Sequence, residues 1–430
     1  MRKMWLLACA VAIGALVSAC GGDDSKATTS DAGSDATASV DSGDRASDAN
    51  ASVDSGGAGG DGGADGAGDA GVAYPAFRPA VPQLLLRDGG VLHTPKIRPV
   101  YFAAETLATP INDRLTQWLG TTWAGQTAEY GIGAATLAPI TLTEAAGTTL
   151  TDTDIESWLK AKLDGSHAEF GPVDAATLAN EVFVLFYPST TTITAGTETL
   201  CQLETGYHND LTLAAGPGVT YAVVPRCTSS VDAQTTVASQ LVIAAASDPS
   251  TMSPGWAGFD ADHEAWGWAF FGPEISHPCQ LLPPAILGGD GGVAIGRSWS
   301  NVAMRGYHDP CLPAPAGAYF AAVPIMLDDV RLNTGFPITK GVSLTSGQSK
   351  TIDVQLLSDG PTTGPWTVSA DVSRTGNPSP ATFAFDRTSG QNGDTLRLTI
   401  TMHNAFSTLF VVTSTLGTRK TQWAGLVSSH

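Results

Sequence analysis

Residues 237–249 read VASQLVIAAASDP, and this stretch decides the fold of the first part of the chain. It is apolar on nearly every face, so the helix that it predicts is expected to be buried. Ser229 precedes it as a candidate N-cap, and Asp232 follows at the spacing of a capping box. Pro249 ends the helix, because the residue before a proline is disfavoured in the helical conformation. The stretch therefore predicts a central, buried helix.

The segments around this helix predict two kinds of architecture. Before residue 325, buried strands are indicated at 97–103 and 181–187, and helices at 112–119 and 152–163. This order predicts an α+β domain with a helix under a sheet. Beyond residue 325 short segments alternate apolar and polar residues between turns, at 350–356, 366–372, 381–385, 395–402 and 408–413. Their regular spacing predicts an all-β sandwich of the immunoglobulin-like class, with Trp366 in its core.

Three ordered segments carry a family resemblance. Residues 238–249, ASQLVIAAASDP, align with the pattern ASHExxEAxTDP, and residues 272–279, GPEISHPC, align with GxEIGDxC. Residues 299–301 read WSN, and residues 306–311 read GYHDPC where the pattern is GHDPC. The chain from about residue 95 onward thus resembles secreted bacterial zincin-like proteins, which are distantly similar to the exordium (phosphate-induced) family. The resemblance implies a zincin-like fold for the α+β domain.

The resemblance also implies that peptidase chemistry has been lost. The family pattern places His, Glu and Glu where this chain has Gln240, Leu241 and Ala244. Zinc binds imidazole, thiolate or carboxylate, and a general base must accept a proton at neutral pH. An amide, an isobutyl group and a methyl group provide neither function, so we expect no catalytic residues, no cofactor and no enzymatic activity. The alternative is a buried Ala/Val helix without this ancestry.

Other polar residues allow a rearranged metal site as a second hypothesis. The candidates are His208, Asp260, Asp262, His263, Glu264, Glu274, His277 and His308. Zinc accepts mixed nitrogen and oxygen donors, so a metal-dependent hydrolase with a site around His263, Glu274 and His277 is the alternative function. None of these residues forms a recognised metal-binding motif with i, i+4 spacing on a helix, so we expect no metal. No nucleophile elbow, phosphate loop or dinucleotide fingerprint is present.

The N-terminal segment predicts export. Residues 1–20 have basic Arg2 and Lys3, an apolar run and the lipobox-like VSAC at 17–20, which predicts cleavage before Cys20 and lipidation of its thiol. The alternative is an ordinary signal peptide that is cut nearby. Residues 21–73 are almost entirely Gly, Ala, Ser, Asp and Thr, with eleven Asp. Such a segment buries too little apolar surface to fold, so it is predicted to be a disordered, extended tether.

The net charge argues against nucleic-acid binding, and the cysteine content indicates disulfide bonds. The net charge of −19 gives no electrostatic basis for nucleic-acid binding. Beyond Cys20 four cysteines remain, and export favours two disulfides. The simplest pairing is Cys201 with Cys227 and Cys279 with Cys311, although four cysteines allow three pairings.

Together these features predict a lipid-anchored protein of the bacterial cell envelope, on the outer membrane. The expected domains are the zincin-like α+β domain at 74–324 and the sandwich at 325–430. The leading hypothesis is an inactive metallopeptidase-like domain that binds or scaffolds an unidentified protein or saccharide. A structural or saccharide-binding envelope protein is a third hypothesis.

Overall fold

The computed structural model describes residues 72–429, except 104, 203–204, 215, 217, 271, 290–291 and 374–378. The predicted signal peptide, the lipidation site Cys20 and the tether up to residue 71 lie outside the described residues. Residues from Val72 onward belong to one compact unit. Within the described part of the chain, no helix combines the length and the apolar character needed to cross a bilayer.

The first region contains the helices and the shorter strands. The helices are α1 (Ala108–Thr121), α2 (Trp123–Thr127), α3 (Asp152–Lys162), α4 (Ala175–Leu178), α5 (Val231–Ser247), α6 (Ala265–Ala269) and α7 (Asn301–Arg305). The strands are β1 (Leu84–Leu86), β2 (Lys96–Tyr101), β3 (Thr136–Leu137), β4 (Ile140–Thr141), β5 (Thr149–Thr151), β6 (Glu181–Tyr187), β7 (Thr192–Ala195), β8 (Glu198–Thr199), β9 (Tyr207–Thr212), β10 (Gly218–Pro225), β11 (Trp256–Phe259), β12 (Ala285–Leu287), β13 (Val293–Ile295), β14 (Ser298–Trp299) and β15 (Cys311–Leu312).

A mixed sheet organises this region. Its strand order is β3-β2-β6-β10-β9, with β4 also paired to β2. Strands β2, β6 and β10 are parallel, whereas β9 runs antiparallel to β10. Every residue of β6 is buried, as expected for a parallel strand covered on both faces. One face packs against α5 and the other against α3, so the predicted helix under a sheet is confirmed.

Helix α5 begins one residue later than the sequence predicts. Its N-cap is Ser230, whose hydroxyl accepts a hydrogen bond from the Ala233 N–H at 3.3 Å. The capping box predicted from Ser229 and Asp232 is therefore wrong. The Asp232 Oδ1 instead lies 3.5 Å from the Arg114 Nη1. The helix ends at Ser247, before the proline that was predicted to stop it.

Residues beyond α7 and β15 form a β-sandwich. Its strands are β16 (Phe320–Pro324), β17 (Asp328–Val330), β18 (Thr339–Ser343), β19 (Ser349–Ser358), β20 (Trp366–Val372), β21 (Ala381–Phe385), β22 (Ser389–Gly390), β23 (Thr395–Met402), β24 (Thr408–Leu416) and β25 (Arg419–Ser428). One sheet has the order β16-β19-β23-β21 and the other β17-β18-β25-β24-β20-β22. The predicted all-β sandwich is confirmed, and its first strand lies just before the predicted boundary at residue 325.

Aromatic pairs join the two sheets, and another pair joins the sandwich to the first region. The ring centroids of Phe320 and Trp366 lie 5.4 Å apart, and Trp366 is fully buried, as predicted. Trp266 of α6 packs edge-on against Trp423 of β25, with ring centroids 5.3 Å apart. The two regions therefore share part of one hydrophobic core.

Two disulfides link segments that flank β9 and α6. Cys201 pairs with Cys227 and Cys279 with Cys311, which confirms the predicted connectivity. The first bond closes the base of the β9–β10 hairpin. The second fastens the segment after α6 to strand β15.

Candidate metal centre

The three positions that are reactive in the zincin-like pattern lie in packed surroundings. A Cβ built on Gly296 would lie 2.0 Å from the Gln240 Cγ, so the backbone of that glycine rests directly on the Gln240 side chain. A Cβ on Gly206 would lie 2.9 Å from a methyl carbon of Leu241. Ala244 is 1% exposed. These side chains serve close packing of α5 and contain no imidazole, thiolate or carboxylate of the kind that binds zinc.

A different group of ligand atoms meets one helical turn beyond Ala244. Asp248 follows the last residue of α5, and its backbone N–H still donates to the Ala244 carbonyl at 2.8 Å. His208 comes from β9, where it pairs with Ala222 of β10. Glu274 lies in the loop after α6 and forms a single β-bridge with Ala257. The ligand atoms of His208, Asp248 and Glu274 all lie within 4.8 Å of one another.

Asp248 is buried and the other two side chains are partly buried. The side chain of His208 is 5% exposed and that of Glu274 is 18% exposed. The His208 Nε2 lies 3.0 Å from the Glu274 Oε2, so the two side chains form an ion pair when the imidazole is protonated. The His208 Nδ1 and the Asp248 Oδ1 have no hydrogen-bond partner among the described residues. Since buried polar atoms are nearly always paired, these side chains are suited to bind a ligand.

Charge in this group is concentrated and poorly solvated. Burial, followed by the negative charge of Glu274, raises the pKa of Asp248 to about 7. For Glu274, burial opposes ionisation, but the charges of His208 and His277 outweigh it and lower its pKa. Burial acts against protonation of His208, yet the Glu274 carboxylate raises its pKa. The buried carboxylates thus favour a positive charge between them.

The donor set fits a divalent transition metal. One imidazole nitrogen and two carboxylate oxygens suit zinc, whereas calcium and magnesium prefer oxygen ligands alone. With zinc–ligand bonds of about 2.0–2.1 Å, a tetrahedral site places neighbouring ligand atoms about 3.3 Å apart. The 3.0 Å between the His208 Nε2 and the Glu274 Oε2 is close to that value. Two carboxylates also balance the charge of a divalent ion.

His277 lies beside this group, nearer to the solvent. Its Nδ1 is 3.7 Å from the Glu274 Oε2, and its side chain is 22% exposed. The backbone N–H of Glu274 donates to the same Nδ1 at 3.3 Å. The imidazole covers Gly272, where a Cβ would lie 2.5 Å from the His277 Cε1. Only a glycine at this position leaves room for the ring.

The other predicted candidates lie elsewhere. The His263 Nδ1 bonds to the Asp260 Oδ1 at 2.7 Å, so this histidine has a structural partner. The His308 Nδ1 bonds to the Asp359 Oδ2 at 2.7 Å, and the His308 side chain is 65% exposed. The rearranged site predicted around His263, Glu274 and His277 is therefore only partly assembled, because His263 belongs to its own pair.

Sequence reasoning missed Asp248 as a site residue. It is not among the candidate ligands, although it lies four residues beyond Ala244 and eight beyond Gln240. Residues four apart share a helix face, and this spacing was the signal that could have found it. Its partners, at positions 208 and 274, are brought near only by the tertiary fold.

Comparison with known proteins identifies no family. No family model matches the sequence, and no curated protein matches it. Among solved structures, domains 4 and 5 of the S-layer protein SbsC are 20% identical, with a TM-score of 0.17 over 25% of this chain and 47% of that one. The present chain thus spans about half the length of that fragment.

Two further solved structures have similarly low scores. A conjugative transposon lipoprotein from Bacteroides eggerthii is 13% identical, with a TM-score of 0.18 over 26% of this chain and 95% of that one. An I-band fragment of titin is 13% identical, with a TM-score of 0.17 over 27% of this chain and 33% of that one. TM-scores this low carry no argument about fold or function.

Proposed function

We propose that this protein is a lipid-anchored protein of the bacterial cell envelope whose α+β region binds a divalent metal ion, zinc by its donor set. His208, Asp248 and Glu274 are the ligands. The region is an inactive relative of zincin-like metallopeptidases, in which the metal supports binding or scaffolding and not hydrolysis. When bound, the ion supplies the positive charge that the two buried carboxylates lack.

One observation carries the metal site. Three ligand atoms from distant parts of the chain lie within 4.8 Å of one another, and the His208 Nδ1 and the Asp248 Oδ1 have no hydrogen-bond partner among the described residues. Leaving such atoms unpaired in a protein interior costs about 1–3 kcal/mol each, and more for charged groups. A bound divalent ion would satisfy all three side chains.

The inactivity and the anchor have separate support. At the positions of the family's reactive residues, Gln240 and Leu241 are enclosed by the backbones of Gly296 and Gly206. Neither side chain has a group that accepts a proton at neutral pH. The anchor is supported by the N-terminal sequence, in which a short apolar run ends in the lipobox-like VSAC at 17–20.

Metal analysis tests the function. We expect the full-length protein, purified in detergent without added metal and then loaded with zinc and desalted, to retain about one equivalent. The double variant His208→Ala, Asp248→Ala should retain none. The control His308→Ala, which changes an exposed histidine outside the group, should retain zinc like the wild type.

The same preparation tests the absence of peptidase activity and gives an independent stability measurement. Zinc at a free concentration 100 times its Kd should stabilise the wild type by about 2.7 kcal/mol. Failure of the wild type to retain or respond to zinc would refute the metal site. Peptide cleavage that EDTA abolishes would refute the proposed inactivity, whereas mass spectrometry that finds no acyl chain on Cys20 would refute the anchor.

A further inference from the structure

We propose that His277 is the fourth ligand of the metal ion, so that protein atoms alone complete its coordination. This inference rests on the proposed function, since it names a further residue of the same site. It also specifies the class of site: two imidazoles and two carboxylates in a closed, structural centre.

The position of the His277 ring supports direct ligation. Its Nδ1 lies 3.7 Å from the Glu274 Oε2, only a few tenths of an ångström beyond the ligand-to-ligand spacing of about 3.3 Å in a tetrahedral zinc site. The ring lies outside the group of three side chains whose ligand atoms are all within 4.8 Å of one another, so ligation requires the His277 side chain to turn toward them. Its side chain is 22% exposed, so solvent and not protein borders part of the ring.

The hydrogen bonding of His277 leaves the correct nitrogen available. In the neutral tautomer with its proton on Nε2, the Nδ1 accepts from the Glu274 backbone N–H at 3.3 Å and carries a lone pair. A metal ion needs this lone pair, and the long hydrogen bond is a weak competitor for it. The same nitrogen faces the carboxylate that forms part of the site.

Burial of the other ligands explains why a fourth protein ligand matters. The His208 side chain is 5% exposed and Asp248 is 4% exposed, while His277 lies on the side of the group nearer to the solvent. A site with three protein ligands keeps one position for water or substrate, whereas a structural site is filled by four. With His277 in this position, no coordination position is left for a substrate.

Cobalt substitution tests this proposal. Full-length wild-type protein loaded with Co²⁺ should show the intense visible absorption of a four-coordinate ion. His277→Ala should weaken that absorption as water enters, and should lower the affinity for Co²⁺ by at least about tenfold. His277→Asp restores a ligand oxygen and should recover most of the absorption. His308→Ala is the matched control and should resemble the wild type.

X-ray absorption of the zinc-loaded wild type provides a measurement that needs no variant to fold. Two imidazoles in the zinc shell would support the proposal, and one would overturn it. Unchanged absorption and affinity in a folded His277→Ala protein would also overturn it while leaving the three-ligand site intact. A wild type that binds neither Zn²⁺ nor Co²⁺ would refute the proposed function and this inference together.

Discussion

The α+β region and the β-sandwich place their charged side chains differently. In the sandwich, charged pairs such as Arg397 with Asp353 lie on the surface, with side chains that are 57% and 47% exposed. In the α+β region, Glu181 is 1% exposed and its partner Arg98 is 7% exposed, and the group of His208, Asp248 and Glu274 is buried or partly buried. Buried charges are retained at a cost, so the first region is where chemistry or a strong structural constraint is expected.

The two buried groups of the first region also differ from each other. Arg98 donates to the Glu181 carboxylate at 3.0 Å and also to three backbone carbonyls, those of Ala138, Glu169 and Phe170. All three guanidinium nitrogens of Arg98 therefore have acceptors, although the Glu181 Oε2 has no hydrogen-bond partner among the described residues. Among the described residues Asp248 and Glu274 have no Lys or Arg ion-pair partner, which is why we assign this group a metal ion and assign the Arg98 pair a structural role.

The largest expected loss of stability comes from breaking the buried ion pair between Arg98 and Glu181. Glu181→Ala leaves the Arg98 guanidinium without its counter-charge, so we expect a loss of about 3–5 kcal/mol in the free energy of unfolding. Urea denaturation followed by tryptophan fluorescence would measure it. The double variant Arg98→Met, Glu181→Leu is the control, and it should lose much less because no charge remains buried. Equal losses in the two proteins would contradict an electrostatic cause.

A smaller change in the free energy of unfolding is expected when the pH of the metal-free protein is varied. Burial raises the pKa of Asp248 from 3.8 to about 7, so the folded state holds a proton that the unfolded state releases above pH 3.8. That stabilisation is present below pH 3.8 and is lost as the pH rises through about 7. The pKa of His208 is raised as well, so its contribution declines in the same direction. The lowered pKa of Glu274 changes stability only at lower pH.

In EDTA, therefore, the free energy of unfolding should fall between about pH 4 and pH 7, with Asp248 accounting for at most about 4 kcal/mol. Thermal unfolding across this range would measure the slope. Asp248→Asn should flatten it, and saturating zinc should reverse it because the metal competes with protons for the same atoms. A slope that is flat or positive in EDTA would show that Asp248 is not desolvated in the way that the structure indicates.

The smallest change in stability is expected from breaking an ion pair on the surface of the sandwich. Arg397→Gln removes the exposed pair with Asp353, and we expect a change of at most about 1 kcal/mol because solvent screens such pairs. Urea denaturation in low and high salt would measure it, with Thr399→Ser on the same strand as a control for local packing. A loss as large as that of Glu181→Ala would remove the contrast between the two regions.

Much of the secondary structure was predictable because it has a clear sequence period. The strands at 366–372, 381–385 and 395–402 alternate apolar and polar residues, and the structure has them at those bounds. Strand β25 was not predicted because its residues do not alternate between apolar and polar. Its last six residues are all buried, so no alternation marks it. A strand covered on both faces cannot be told from other apolar segments by period alone.

The candidate site was predictable only in part. His208, Glu274 and His277 were candidates because of their residue type, but nothing in their spacing separated them from His263 and His308. Their grouping depends on the β9–β10 hairpin, the end of α5 and the loop after α6 meeting in space. Such contacts over long sequence separations have no local pattern.

The glycines at 206 and 296 bear on any attempt to engineer a working hydrolase from this chain. Replacing Gln240 and Leu241 with the His and Glu of the family pattern would direct the new side chains onto two stretches of main chain that already touch α5. Opening a cleft there would require moving the β9 and β13 ends of the structure along with the helix. Placing His and Glu at these two positions would therefore crowd the helix against the neighbouring main chain, and access for a peptide would have to be built as well.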